Sequence, residues 1–393
     1  MNNIIINQNS TNINIQEHYE SFINHPKSGD IRFVIPLKLI NYSFGLLGDL
    51  LRFVITLNNN KKIKILKINA PKEDLETFYS QEYAYPLISL LWNTAKFVDK
   101  NDNDIKDILR VKQNIFFTKI NALERWKGTK YMLTSSDHLP NQKGLVKLFE
   151  NSNGFNDDEE LINNKISKIL DDYVVNYTYS NKEEFQFIKN DVAGIVYELA
   201  KNTYEWGKTD ANMVEIDASI RGVYLRFHSN NYNKLINIHA ETPVELFLSH
   251  NEIRENLNES GNLYYLEILV FDSGVGFIEK FLQRDDIEDI NIIKKCLIKN
   301  QTSSLSNMKS KKGIGLDRIL KTLDKKGFIK ISTDKYTLYR DLIKDEYKPI
   351  SLANLNDLVL ERWKNEDNQT RRSQGSFLSI LYPFKKNIYT NHE

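Results

Sequence analysis

The stretch IVYELAKNTYEWG, residues 195–207, spaces three polar side chains at steps of four and three: Glu198, Asn202 and Glu205. On a helix these lie on one stripe together with Asp191 and Gly194. A second stripe, Ile188, Val192, Ile195, Leu199, Thr203 and Trp206, is the one that would face a core. Glu198 and Asn202 are one turn apart, so a carboxylate and an amide oxygen can converge on one point. That pair suits a hydrated magnesium ion and a water molecule. A solvated polar face has the same spacing, and the helix alone does not choose between the two.

Two glycine motifs follow. YYLEILVFDSGVGF, residues 264–277, reads as a buried strand running into Asp272, Gly274 and Gly276. Glycines directly after a strand permit a tight turn and close approach of a ligand to the backbone. A carboxylate at the strand tip can accept a hydrogen bond from an exocyclic amine. An ordinary Asp–Gly turn would look alike. SNMKSKKGIGLDRILKTLDKKGFIKIS, residues 306–332, puts Gly313 and Gly315 just before a helical pattern with Leu316, Ile319, Leu320 and Leu323. Free N–H groups at such a start bind phosphate. Lys309, Lys311 and Lys312 add positive charge; a flexible loop with solvated lysines is the other reading. A last strand, GSFLSILYPF, carries Gly375 and Ser376.

Order and spacing say more than any one motif. E-L-x-x-N on a helix, D-x-G-x-G after a strand, G-x-G-L opening a helix and a closing strand together resemble the GHKL ATP-binding family. That family includes gyrase, ATP-dependent chaperones, histidine kinases and mismatch-repair ATPases. The resemblance covers about residues 165–385. It implies a Bergerat sandwich, with helices over a mixed sheet and ATP and Mg²⁺ between them. It implies Glu198 as the group that activates the attacking water, Asn202 as the Mg²⁺ ligand and Glu205 as an acidic position three residues on. Asp272 would hold the adenine amine, with Gly274 and Gly276 beneath the base and Ser376 nearby. Lys312, Gly313, Gly315 and Leu316 would form the phosphate-side glycine box. Residues 278–312 would include a mobile lid. The chain departs from the family at Lys311, where a further glycine is common, and at Thr203, where a small residue is common.

Glu198 separates this chain from sensor histidine kinases, which carry an amide there, and none of its seven histidines sits in an H-E-x-x-x-P setting. Gyrase-like relatives place transducer domains after the ATP domain, whereas here the chain stops nine residues past Phe384. Two activities therefore stand out. One is an ATPase acting as a nucleotide-driven switch on the N-terminal domain or on a partner protein. The other is a protein serine kinase of the anti-sigma-factor or dehydrogenase-kinase type. A non-hydrolysing ATP sensor is the third. A homodimer is compatible with all of them.

The elements that must position these residues read as α+β, a C-terminal α/β sandwich, which the resemblance makes Bergerat-type, preceded by a smaller α/β domain. Residues 1–28 are an Asn-rich tail or an added edge strand. Residues 29–150 read strand (IRFVIPL), helix (FGLLGDLLRFVITL), strand (KKIKILKI), helix (FYSQEYAYPLISLLWNTAKFV), a pattern with a faint likeness to STAS modules. Residues 151–164 are polar and acidic, a linker, and 165–393 would be the ATP-binding domain that the resemblance implies. MVEIDASI, VYLRFHS, YYLEILVFD, FIKISTD and SFLSILYPF are its expected strands, with helices around 278–299 and 315–326. The segments 221–262 and 334–373 exceed a minimal domain and suit partner surfaces.

Composition sets the outer bounds. Of 393 residues 27% are charged, yet the net charge is +1, which argues against a chain-wide footprint for nucleic acid. The one cysteine, Cys296, excludes an internal disulfide and a cysteine-rich zinc site. The start has no signal-peptide pattern, and the longest apolar stretch is interrupted by Asp49 and Arg52. A soluble, cytoplasmic protein is the expectation.

Overall fold

The computed structural model describes residues 1–25, 29–59, 63–175, 182–210, 212–280, 288–298, 314–363 and 372–385. The first strands form a four-stranded parallel sheet, hydrogen-bonded in chain order: β1 (Asn2–Ile5), β2 (Ile31–Pro36), β3 (Ile63–Asn69) and β4 (Lys96–Val98). Parallel neighbours need crossovers. These are α1 (Asn12–Tyr19), α2 (Leu46–Asn59) and the pair α3 (Leu75–Tyr79) and α4 (Ala84–Leu91). The N-terminal residues are thus an edge strand and a helix. Ile31, Phe33 and Ile35 of β2 alternate into the core. The single helix expected over residues 78–98 is instead the end of α3, then α4, then β4. Pro86 lies in the first turn of α4, where its missing N–H has no intrahelical partner to lose.

α5 (Lys106–Asn121) leads to β5 (Lys130–Ser136), which leaves the first sheet and joins a second. After α6 (Asn141–Gly144) come the small hairpin β6 (Glu150–Asn151) and β7 (Gly154–Phe155), then α7 (Glu159–Ile169) and the long α8 (Lys182–Trp206). The rest of the chain supplies β8 (Ile220–Asn231), α9 (Tyr232–Ile238), α10 (Pro243–Leu248), α11 (Asn251–Arg254) and β9 (Asn262–Asp272). It continues with α12 (Gly276–Lys280), α13 (Asp289–Cys296), α14 (Ile314–Thr322), β10 (Phe328–Thr333), β11 (Tyr336–Asp341), β12 (Glu361–Arg362) and β13 (Ser376–Pro383). The second sheet runs β12-β11-β10-β13-β9-β8-β5, and its described pairings are all antiparallel, where the resemblance implied a mixed sheet. The class is α+β.

Both faces of this sheet are covered, which is why β9 is apolar almost end to end. Asp272 points toward α8, where a Cβ built on Gly207 would lie 2.5 Å from its Cβ. Leu269, three residues earlier and so on the other face, meets α2: a Cβ on Gly48 would lie 3.3 Å from its Cδ1. α2 therefore lies between the two sheets, and that accounts for burial on nearly every side.

Several expectations change. The polar segment 151–164 is built into structure: it holds the turn and second strand of the β6–β7 hairpin and the start of α7, where Ile162 is fully buried. β5 lies on the N-terminal side of that segment, yet it pairs with β8 from Lys130↔Arg226 to Ser136↔Ile220. The core is continuous across the 150/165 boundary. MVEIDASI is a loop, and the strand starts at Ile220. Asp210 accepts N–H bonds from Asn212 (2.8 Å) and Val214 (2.9 Å), and Met213 and Ala218 adopt positive φ. Within 334–373, residues 336–341 are a sheet strand rather than an appendage. No helix among the described residues is long and apolar enough to cross a membrane.

Candidate functional site

α8 buries Ile188, Val192, Ile195 and Leu199, as its apolar stripe requires. It stops at Gly207, whose N–H still reaches the Thr203 carbonyl at 2.8 Å. Two glycines bring the end of α8 onto the tip of β9. A Cβ on Gly207 would strike Asp272, and one on Gly274 would lie 2.9 Å from both the Gly207 Cα and the Trp206 carbonyl oxygen. Asp272 is almost fully buried there, and its Oδ1 accepts the Gly274 N–H at 2.8 Å. Ser376 stands directly opposite Asp272 on β13. Arg221 stands opposite on β8, with its guanidinium turned to Asp137 (2.7 Å) and Glu150 (2.6 Å).

The turn after Asp272 is fixed by more than its own sequence. Gly276 and Gly375 adopt φ of +85° and +90°, the left-handed region that favours glycine. A Cβ on Gly375 would lie 2.2 Å from the Asp272 carbonyl oxygen. The Gly375 N–H donates to the Gly274 carbonyl at 2.7 Å, tying β13 to the turn.

Glu198, Asn202 and Glu205 lie back along α8 from this contact. At about 1.5 Å per residue, Asn202 is roughly 7 Å and Glu198 about 13 Å along the axis from Gly207. All three are partly exposed. Burial pushes the Glu198 carboxyl up from its ordinary value, and Glu159 at the start of α7 adds to this. Lys201 and Arg318 pull it down, and Glu205 raises it.

Arg318 belongs to α14, the helix that follows the second glycine motif. Its guanidinium lies against Gly194, where a Cβ would sit 2.4 Å from Nη1, and its Nη2 reaches Asp191 Oδ1 at 3.1 Å. Lys326, just past the end of α14, bonds to the Tyr382 hydroxyl, which bonds to Glu184 near the start of α8. Going forward along α14 means going backward along α8, so the two are antiparallel. The first turn of α14 therefore points toward the Glu198–Asn202 end of the stripe. Gly315 and Leu316 are the second and third residues of that helix. Lys309, Lys311, Lys312 and Gly313 lie outside the described residues, as do 281–287 and 299–310 of the expected lid.

The expected residues thus form two groups along one helix. Asp272, Gly274, Gly276 and Ser376 gather at its C-terminal end; Glu198 and Asn202 lie about two turns back, with Glu205 between the two groups. Among the described residues no group of three or more His, Cys, Asp or Glu side chains is placed to hold a metal ion. Asn202 would supply one oxygen to a cation here, with phosphates and water completing the shell, the usual arrangement for Mg²⁺. Cys296 is half-buried, with its thiol pushed up to about 12 by burial. Sequence reasoning missed Gly207 and Arg318. Gly207 ends the very stretch that holds Glu198, and Arg318 lies three residues after Gly315, so both were within reach of the motifs. No protein-family model matches this chain, and no curated protein does.

Proposed function

We propose that the chain is a GHKL-type ATPase that binds Mg-ATP along α8 and uses it as a switch. The observation that carries this reading is the arrangement of two acids along α8. Asp272 is locked against Gly207, and Glu198 lies nine residues earlier beside the helix that follows a glycine box. A purine amine donates to Asp272, with the base over Gly274 and Gly276. The triphosphate runs back along α8 toward the first turn of α14. Asn202 holds Mg²⁺, which when bound neutralises phosphate charge. Glu198, its carboxyl raised by burial, accepts the proton of the attacking water. A helix start at the second glycine motif would offer free N–H groups to the phosphates. The N-terminal half or a partner protein reads the occupied state.

Calorimetry of the purified chain with ATP and Mg²⁺ tests binding; absence of heat would end the proposal. Incubation with γ-labelled ATP, with and without lysate, then separates turnover classes. Free phosphate alone supports the switch, and label on a lysate protein assigns the chain to serine kinases instead. Bound ATP with neither outcome makes it a sensor.

A further inference from the structure

Gln374 is the residue through which the N-terminal half holds the nucleotide turn. Its side-chain amide donates to two carbonyls of that turn, Ser273 O at 2.8 Å and Gly274 O at 2.7 Å. Two carbonyl partners fix which end of the amide is nitrogen. Its oxygen accepts from Asn59 Nδ2 at 3.2 Å, and its backbone N–H donates to Thr56 Oγ1 at 3.2 Å. Thr56 and Asn59 are both on α2. One turn back, Arg52 reaches the same strand entry: Nε to Ser373 Oγ (3.0 Å), Nη1 to Thr337 Oγ1 (2.7 Å) and Nη2 to the Asp334 carbonyl (3.3 Å).

Peptide planarity carries this hold to Asp272. In a trans peptide the carbonyl of one residue and the N–H of the next point in opposite directions. Gln374 holds the Ser273 carbonyl, so the Gly274 N–H is turned the other way, onto Asp272 Oδ1 at 2.8 Å. The Gly274 carbonyl takes a second donor, the Gly375 N–H, so both its lone pairs are used and the next peptide plane is fixed too. The turn has no freedom to re-aim Asp272 unless Gln374 lets go.

Resting on the Mg-ATP reading above, we infer that Gln374 is a positioning residue linking nucleotide binding at Asp272 to the packing of α2. By reciprocity, a ligand that tightens the turn also tightens α2, and loosening α2 weakens the ligand.

The test uses the full chain as wild type, Gln374→Ala, Thr56→Val and Arg52→Lys, with Mg-ATP calorimetry and amide hydrogen exchange. Gln374→Ala loses about tenfold in affinity, the worth of one to two hydrogen bonds, and exchanges faster at residues 274–277 before any ligand is added. Thr56→Val and Arg52→Lys show the same changes to a smaller degree. In wild type, Mg-ATP slows exchange in residues 46–59; in Gln374→Ala it does not. A purely structural role would not move that last readout. Unchanged affinity and exchange in a folded Gln374→Ala overturns the inference while leaving the proposed function standing, as does ligand protection that stops short of α2. If wild type binds no nucleotide, the proposed function and the linkage both fall, and exchange in the ligand-free variants still decides whether Gln374 holds the turn.

Discussion

Gly194→Ala is a substitution whose stability and activity effects should part company. A methyl group at Gly194 would meet the Arg318 guanidinium at 2.4, 2.7 and 2.9 Å, so something must move. The obstacle is the tip of a flexible side chain, so Arg318 swings out and the helices keep their spacing. Replacing glycine by alanine inside a helix stabilises by about 0.5–1 kcal/mol. Losing the Arg318–Asp191 pair, whose side chains are 34% and 46% exposed, costs about 0.2–1 kcal/mol. The two nearly cancel, and the melting temperature should stay within about 3 °C of wild type. Glu198, however, loses one of the two cations that hold its carboxyl down, while burial and Glu159 still push it up. Its base form then appears only at higher pH, so the acid limb of kcat/KM for phosphate release moves upward. Phosphate release measured from about pH 5 to pH 9 on both proteins reads that limb. A limb that does not move, in a protein that melts like wild type, refutes the role given to Arg318. A fall of many degrees in melting temperature refutes the claim that its side chain yields.

Three further outcomes are expected. Glu198→Ala should keep Mg-ATP affinity in calorimetry and lose phosphate release; unchanged turnover would show that another group takes the proton. Asp272→Asn keeps the bond from the Gly274 N–H but turns an amide donor toward the purine amine, so affinity should fall by about 1–3 kcal/mol, roughly 5- to 150-fold; a titration matching wild type would reject the adenine contact. Glu267 is fully buried, accepts the Gly45 N–H at 2.8 Å and meets His228 Nε2 at 2.7 Å. Burial pushes its carboxyl from 4.5 up to about 8 and holds His228 well below its usual range, so the carboxyl O–H donates to a neutral imidazole. Between those two values the folded state keeps a proton that the unfolded chain has lost, so this group's contribution to stability falls as pH rises through the window. Glu267→Gln donates in the same place without titrating; between about pH 7 and about pH 8, above the range in which the unfolded His228 takes up its proton, urea midpoints should fall less than in wild type, and an equal fall would place the slope elsewhere.

What could be read from the sequence was local. α2, β2, β3, β9, β10 and β13 announce themselves through apolar runs or alternation bounded by turn residues. Glu198 and Asn202 sit on α8, Ser376 faces Asp272, and the D-x-G-x-G turn follows its strand, because each depends only on spacing within one element or on register at a strand end. What was not legible depends on distant partners. Nothing in KYMLTSS says that it will pair with a strand some ninety residues later, and nothing in MVEIDASI says that Asp210 will capture two of the backbone N–H groups a strand would need. Residues 78–98 look like one helix because apolar content is continuous across them; the turn at 80–83 and a second turn at 92–94, before β4, divide it. Gly207 and Gln374 act through close backbone approach to residues some 65 and 100 positions away.

The pairing of β5 with β8 has a practical side for anyone wishing to express the C-terminal half by itself. A fragment begun at residue 151 would strip the outer neighbour from a twelve-residue strand, leaving a long row of backbone donors and acceptors open to other chains. Such a piece should precipitate or self-associate however well Glu198, Asn202 and Asp272 are preserved, and the shortest soluble version must start upstream of Lys130.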